Sequence, residues 1–181
     1  SDYGKNLAEV NTEFEFDVGQ LDGMDESWLA NRVIDGTNKF RVKLQYPDYI
    51  PIMEYCSNRE TRKFMAEAMG SRCVETNLPI ILDAIKLRKE KAELFGFSSH
   101  TDFKLQNMMA KNSSTVMGFL SKLVDMIKPV VKTDKEKLSA LAKELDGVEK
   151  IESYDNAYYS RIYTERVSGL NMSDLKKMFS I

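Results

Sequence analysis

The arrangement of apolar and polar positions divides the chain at about residue 48. Residues 1–36 read as a solvated, turn-rich leading segment punctuated by Gly19, Gly23 and Gly36. Within it, the stretch from Asp25 to Ile34 opens with acids that complement a helix N-terminus, and predicts a short helix. Asp35-Gly36-Thr37-Asn38 is turn chemistry, and Lys39-Phe40-Arg41-Val42-Lys43-Leu44-Gln45 alternates charged and apolar residues at period two. This is the one convincing strand. Pro47 stops it, because proline donates nothing to a ladder, and Val33-Ile34 offers a short partner. The expectation is one short hairpin or strand near residues 33–45.

From about residue 48 the period becomes helical. Ser57 or Asn58 caps a helix over Arg59 to Ser71, and Pro79 sits in the first turns of a long helix reaching Phe95 and closed by Gly96. Ile81, Ala84, Ile85, Ala92 and Phe95 recur on one face of it. A short helix covers Asp102 to Met109. Ser113 or Ser114 then caps a helix whose Val116, Phe119, Leu120, Leu123 and Ile127 follow helical spacing until Pro129 limits it. Thr133-Asp134-Lys135-Glu136 fits a capping box for a separate helix to Leu145, striped by Leu138, Leu141, Ala142 and Leu145. Two more helices are predicted, from Tyr154 to Val167 with Gly169 as its stop, and from Ser173 to Phe179. The sum is a mainly α, multi-helix lobe of about eight helices, read as a single helical domain over residues 1–181.

Composition narrows what such a lobe does. With 26 Lys plus Arg against 28 Asp plus Glu, a net charge of −2 and a pI near 5.6, the chain has no global attraction to nucleic acid or to an anionic membrane. Its longest apolar run, Leu78-Pro79-Ile80-Ile81-Leu82, is far short of the ~20 residues a spanning helix needs. Neither nucleic-acid nor membrane partners are expected. Charge is uneven, for nine acids face only Lys5 and Arg32 in residues 1–36. A solvated surface is the simple reading of that acidic head, and a partner surface the sharper one. Cys56 and Cys73 are expected to be a reduced, intracellular pair. The chain opens with Ser1 and carries no secretory pattern, which suggests a processed product or a piece of something longer.

Candidate chemistry is sparse. One histidine and two cysteines cannot build a common His/Cys zinc site, and there is neither a Gly-rich phosphate loop nor a His-Glu-x-x-His motif. His100 reads as a capping or surface residue, since no carboxylate is named to orient it as a base. Cys73 reads as an ordinary thiol. The basic run Lys86-Leu87-Arg88-Lys89-Glu90-Lys91 reads as a wetted helix face. Asp155, Tyr158 and Tyr159 form an Asp-x-x-Tyr-Tyr unit in which the acid suits a helix start and each ring can bury with a partner for its hydroxyl. No residue is assigned a catalytic or metal-binding role.

Six segments, in order and spacing from about residue 5 to the end, nevertheless form a set. They are Tyr46-Pro47-Asp48-Tyr49-Ile50-Pro51-Ile52-Met53; Arg59-Glu60-Thr61-Arg62; Leu78-Pro79-Ile80 leading to Ile85-Lys86-Leu87-Arg88; Leu94-Phe95-Gly96-Phe97; Met109-Ala110-Lys111; and Asp155-x-x-Tyr158-Tyr159. Together they resemble the thimet oligopeptidase and neurolysin family of zinc metallopeptidases. Two positions depart from the family pattern: Tyr154 stands where a Trp is usual, and Met108 where an Arg is usual. The resemblance implies part of a long, mostly helical oligopeptidase that hydrolyses short peptides in a channel between two lobes. It implies an intracellular, cytoplasmic protein, with a mitochondrial setting left open.

Members of that family bind zinc through His-Glu-x-x-His and a later glutamate, and this chain resembles the region that precedes them. The cofactor implied is therefore none in this chain and zinc in the full-length parent. The partners implied are the remaining catalytic lobe, short peptides in the whole protein, and self-association through apolar surface left exposed. Arg59, Arg62, Lys111, Asp155, Tyr158 and Tyr159 match family positions and are read as structural; substrate-binding residues stay unknown. The leading expectation is a scaffold and channel-wall segment, inactive by itself. The alternative is a stand-alone, non-catalytic homologue that binds peptides or a protein.

Overall fold

A computed structural model describes residues 2–169, so the helix expected over Ser173 to Phe179 lies outside the described residues. The architecture is mainly α with one small sheet. In chain order it runs α1 (Asp2–Ala8), β1 (Glu13–Asp17), α2 (Glu26–Ala30), β2 (Lys39–Lys43), α3 (Tyr46–Tyr55), α4 (Arg59–Ser71), α5 (Val74–Leu94), α6 (His100–Leu105), α7 (Ser113–Asp146) and α8 (Asn156–Ser168). Short 3-10 turns occupy Val18–Leu21 and Ser153–Asp155. Among the described residues, no helix is long and apolar enough to cross a membrane. The chain divides into two compact units, one of Ser1–Glu9 with Cys73–Asp134 and the other of Val10–Arg72 with Lys135–Ile181.

In the first unit, Asn77 ties α1 to α5. Its buried side chain donates to the Tyr3 carbonyl at 3.3 Å and accepts from Asn6 Nδ2 at 2.8 Å. Gly96, at φ +78, ends α5 in a left-handed turn that lets Phe97 N reach the Ala92 carbonyl and Gly96 N the Glu93 carbonyl, as the sequence predicts for this glycine. The turn brings Phe95 and Phe97 onto Phe103 of α6, with centroids 5.1 and 5.6 Å away. Asp102 links α6 to α7, since its carboxylate takes the Ser99 hydroxyl and the Ser113 N–H at the start of α7. Those bonds hold the Asp102 carboxyl below the usual carboxylate range, with the Ser113 bond the largest cause.

The break expected at Pro129 is absent, for α7 runs unbroken from Ser113 to Asp146 with Pro129 inside it. Proline removes one helical N–H and strains one turn, at a cost of about 3 kcal/mol, which the turns on either side outweigh. Thr133 does not cap a new helix. Its hydroxyl bonds back to the Pro129 carbonyl at 3.1 Å instead.

In the second unit, the partner of β2 is β1, a strand inside the acidic leading segment that the sequence does not predict. The pair is antiparallel, with Glu13 opposite Lys43, Glu15 opposite Arg41 and Asp17 opposite Lys39. Val33 adds an isolated bridge to Phe40, so the expected partner exists only as one contact beside the main ladder. The acids of β1 and the bases of β2 share one face, and Phe14, Phe16, Phe40 and Val42 share the other. Phe16 and Val42 thereby join Leu21, Leu44, Ile52, Cys56 and Met65 in a buried cluster between the sheet, α3 and α4. Gly23, at φ +85, lies where an added Cβ would sit 2.6 Å from the Tyr55 carbonyl, so glycine is required there. A second cluster joins Leu141 and Ala142 of α7 to Tyr159 of α8.

Candidate functional site

Five of the six family-matched residues, Arg59, Arg62, Asp155, Tyr158 and Tyr159, converge in the second unit. Asn58 caps α4 by accepting the Thr61 N–H, and this start sets Arg59 and Arg62 one turn apart on the same side of the helix. Asp155 closes the Ser153–Asp155 turn at the head of α8, where it is fully buried. Its Oδ1 accepts from Arg59 Nε and Arg62 Nη2, both at 3.0 Å. Its Oδ2 accepts from Arg59 Nη2 at 2.8 Å and from the Glu152 N–H at 2.9 Å. Burial alone would raise this carboxyl; the Arg59, Glu152 and Arg62 bonds outweigh it and hold the group below the usual carboxylate range. Asp155 in turn raises the Arg59 guanidinium.

Arg62 is 1% exposed and turns its other edge to the backbone, with Nη1 donating to the carbonyls of Cys56 at 2.7 Å and Ser57 at 3.1 Å. Its guanidinium lies 4.2 Å from the Tyr158 ring centroid. Tyr159, edge-on to Tyr158, sends its hydroxyl to Asp146 at 2.8 Å. Burial and that acceptor raise the phenol well above its ordinary value. Tyr154, the departure from the family pattern, has its ring 5.1 Å from the Arg59 guanidinium, which shows how a ring at this position serves the cluster.

The arrangement is a clamp that ties α4 to the turn at the head of α8. Asp155 has filled its lone pairs with donors from α4 and from its own turn, so none is left to take a proton from a substrate. Lys111 is not part of it; this residue belongs to the first unit, exposed at φ +64 in the link between α6 and α7. The cluster also holds a residue the sequence reading missed. Arg161, on α8, donates to the Glu54 carbonyl at 2.8 Å, pairs with Glu165 and stacks 4.8 Å from the Tyr55 ring. Its pairing with Glu165 was readable at i, i+4 spacing, while its reach to α3 was not.

A second, partly buried ion pair was also missed. Asp48, on the first turn of α3, accepts from Arg32 and, through Oδ2, from the Lys43 N–H at 2.7 Å. Arg32 further lies 3.8 Å over the Trp28 ring. Elsewhere His100 begins α6 beside Phe103, Cys73 sits left-handed at the start of α5 with its thiol on the Asn6 carbonyl, and both cysteines are free. The Lys86–Lys91 run is solvated and pairs along its own helix, Lys86 with Glu90 and Lys89 with Glu93. Among the described residues, no three His, Cys, Asp or Glu side chains are grouped to hold a metal ion. The donors here do not fit zinc, and no step through a metal follows from them.

Comparison with known proteins agrees with the six segments. The chain is similar to the thimet-like oligopeptidase of Dictyostelium discoideum, with 33% identity over 162 residues, covering 87% of this chain and 24% of that protein. It is similar to oligopeptidase A of Salmonella typhimurium, 29% identical over 192 residues, covering 98% of this chain and 28% of the other. It is similar also to saccharolysin of Saccharomyces cerevisiae, 29% identical over 195 residues, covering 99% and 27%. The chain thus spans about a quarter of the length of these relatives. The profile of Peptidase family M3 matches residues 52–181, a span that takes in the clamp from Arg59 to Tyr159, and the chain belongs to that family.

Proposed function

We propose that this chain is a scaffold and channel-wall segment of a zinc-dependent oligopeptidase that hydrolyses short peptides, and that it is inactive by itself. The observation that carries this reading is the clamp. The family-matched Arg59, Arg62 and Asp155 bond to one another and to backbone, and Tyr159 bonds to Asp146, which is the work of a frame and not of a catalyst. In this reading the zinc ligands and the general base belong to a part of the parent protein that the 181 residues do not include, and the working compartment is the cytoplasm. The remaining lobe is the partner, and the exposed apolar positions of α5 and α7 are the surface it would cover.

The test is direct. The purified chain is assayed with a fluorogenic peptide and analysed for metal. The expected results are no hydrolysis and no stoichiometric zinc, and either finding would overturn the assignment of the chemistry elsewhere. The coding sequence downstream of Ile181 separates this reading from a stand-alone binding homologue. Only the scaffold reading requires a His-Glu-x-x-His motif there.

A further inference from the structure

The two outer edges of the small sheet are finished differently. The Leu44 N–H bonds to the Thr12 carbonyl, which sets the alternation of the ladder. Residues 12, 14 and 16 of the first strand turn their backbone groups toward β2, while Glu13, Glu15 and Asp17 turn theirs outward. On β2 each of the three corresponding residues has an outward backbone group engaged. Lys39 O takes the Ile34 N–H, Arg41 N reaches the Arg32 carbonyl, and Lys43 N reaches Asp48. On β1 only the Asp17 N–H is engaged, by the Gln20 side chain. The N–H and C=O groups of Glu13 and Glu15 have no hydrogen-bond partner among the described residues.

That open edge borders an apolar groove. Phe14 and Phe16 meet the ring of Phe64 edge-on, at 4.8 and 5.9 Å, and Phe64 is still 45% exposed. Glu15 and Glu60 line the same groove. We propose that the outer edge of β1 binds a short extended peptide of alternating apolar and basic residues, which adds to the sheet as an antiparallel third strand. Backbone groups of Glu13 and Glu15 would supply the pairing. Side chains on the Phe14 face of the added strand would enter the groove against Phe64. Those on the other face would stand beside Glu13, Glu15 and Asp17, where basic residues are favoured and acidic ones repelled. The same charge pattern disfavours a second copy of this chain, because antiparallel pairing of two Glu13–Asp17 edges brings acids opposite acids.

The probe is a labelled hexapeptide of alternating lysine and valine, titrated into the 181-residue chain. Binding should slow hydrogen exchange at the Glu13 and Glu15 amides and leave those of Phe14 and Phe16, already in the ladder, unchanged. Methylating the amide nitrogens that face β1 should weaken binding about tenfold or more, while methylating those that face away should not. An alternating glutamate and valine hexapeptide should bind more weakly, and Phe64→Ala should weaken the lysine peptide. Equal affinity for both N-methylated series would overturn the proposal. So would exchange protection at Glu13 and Glu15 that grows with protein concentration and without peptide, since that would be self-pairing. The measurement does not depend on hydrolysis, so its failure would leave the scaffold reading untouched.

Discussion

The two units use similar amphipathic helices to different ends. In the second unit, both apolar clusters are closed, around Ile52 and Met65 in one and around Leu141 and Tyr159 in the other. In the first, Ala92 and Asn77 are the buried residues among those described, while Leu82, Ile85, Phe119 and Ile127 face solvent. Along α7, the spacing of Val116, Phe119, Leu120, Leu123 and Ile127 in the first unit is as regular as that of Leu138, Leu141 and Ala142 in the second. A helical period therefore reports that a helix has an apolar face, and not what covers it. Buried charge discriminates better. Arg62, Asp155 and Asp48 are all in the second unit, where each has an oppositely charged partner, although the buried Arg62 Nε finds no acceptor.

The largest effect should come from breaking that pairing. Asp155→Ala leaves Arg62 buried without its carboxylate and should destabilise the second unit by about 3–5 kcal/mol in urea unfolding. A loss below about 1 kcal/mol would mean that the clamp is dispensable and that the contrast between the units rests on apolar packing alone. The same group predicts an acid limb. Its folded pKa is depressed, so its contribution is complete above the ordinary carboxylate value and is lost as pH falls through the folded value. Stability measured from about pH 5 downward should fall less steeply in Asp155→Asn than in the native chain. Next in size is Leu141→Ala, which opens a cavity beneath Tyr159 and should cost about 2–3 kcal/mol.

How much of this was legible in the sequence follows from how local each signal is. The bounds of α4 and its Asn58 cap, the Gly96 stop and the Gly169 stop, at φ +66, depend on residues within one turn, and they stand as predicted. The strand Glu13–Asp17 carried a period-two signal in Glu-Phe-Glu-Phe-Asp. It was masked by reading its acids as a solvated surface, although they are the cross-strand partners of Lys39, Arg41 and Lys43. The break at Pro129 was overpredicted because local propensity does not register how many regular turns flank a proline. In the clamp, Arg59, Arg62, Asp155, Tyr158 and Tyr159 could be chosen from the resemblance. That Asp155 would join to α4 across 96 positions of sequence could not, since nothing in the spacing encodes a contact that distant.

A smaller effect separates the shape of Tyr159 from its hydroxyl. Tyr159→Phe keeps the ring against Leu141 and removes the bond to Asp146, which should cost about 1 kcal/mol near neutral pH. The native phenol has a raised folded pKa, so its contribution is present below the ordinary tyrosine value of about 10 and is lost as pH rises toward the folded value. The substituted chain should therefore show a flatter alkaline limb in thermal unfolding. An unchanged limb would place the alkaline sensitivity on another group.

The smallest effect is the most informative about the first unit. Ile85 and Leu82 are apolar by pattern yet exposed, so Ile85→Ser and Leu82→Gln should alter the stability of this chain by no more than about 0.5 kcal/mol. The same kind of change at Ile52, which is buried, removes well over 1.5 kcal/mol of apolar transfer energy. If a remaining lobe covers α5 in a longer parent, the two surface substitutions should become costly there while staying silent here. They should also lower dye binding and self-association of the isolated chain, because they remove the surface that drives both. A cost above about 1 kcal/mol in the isolated chain would mean that the face of α5 is already covered, and the contrast between the two units would collapse.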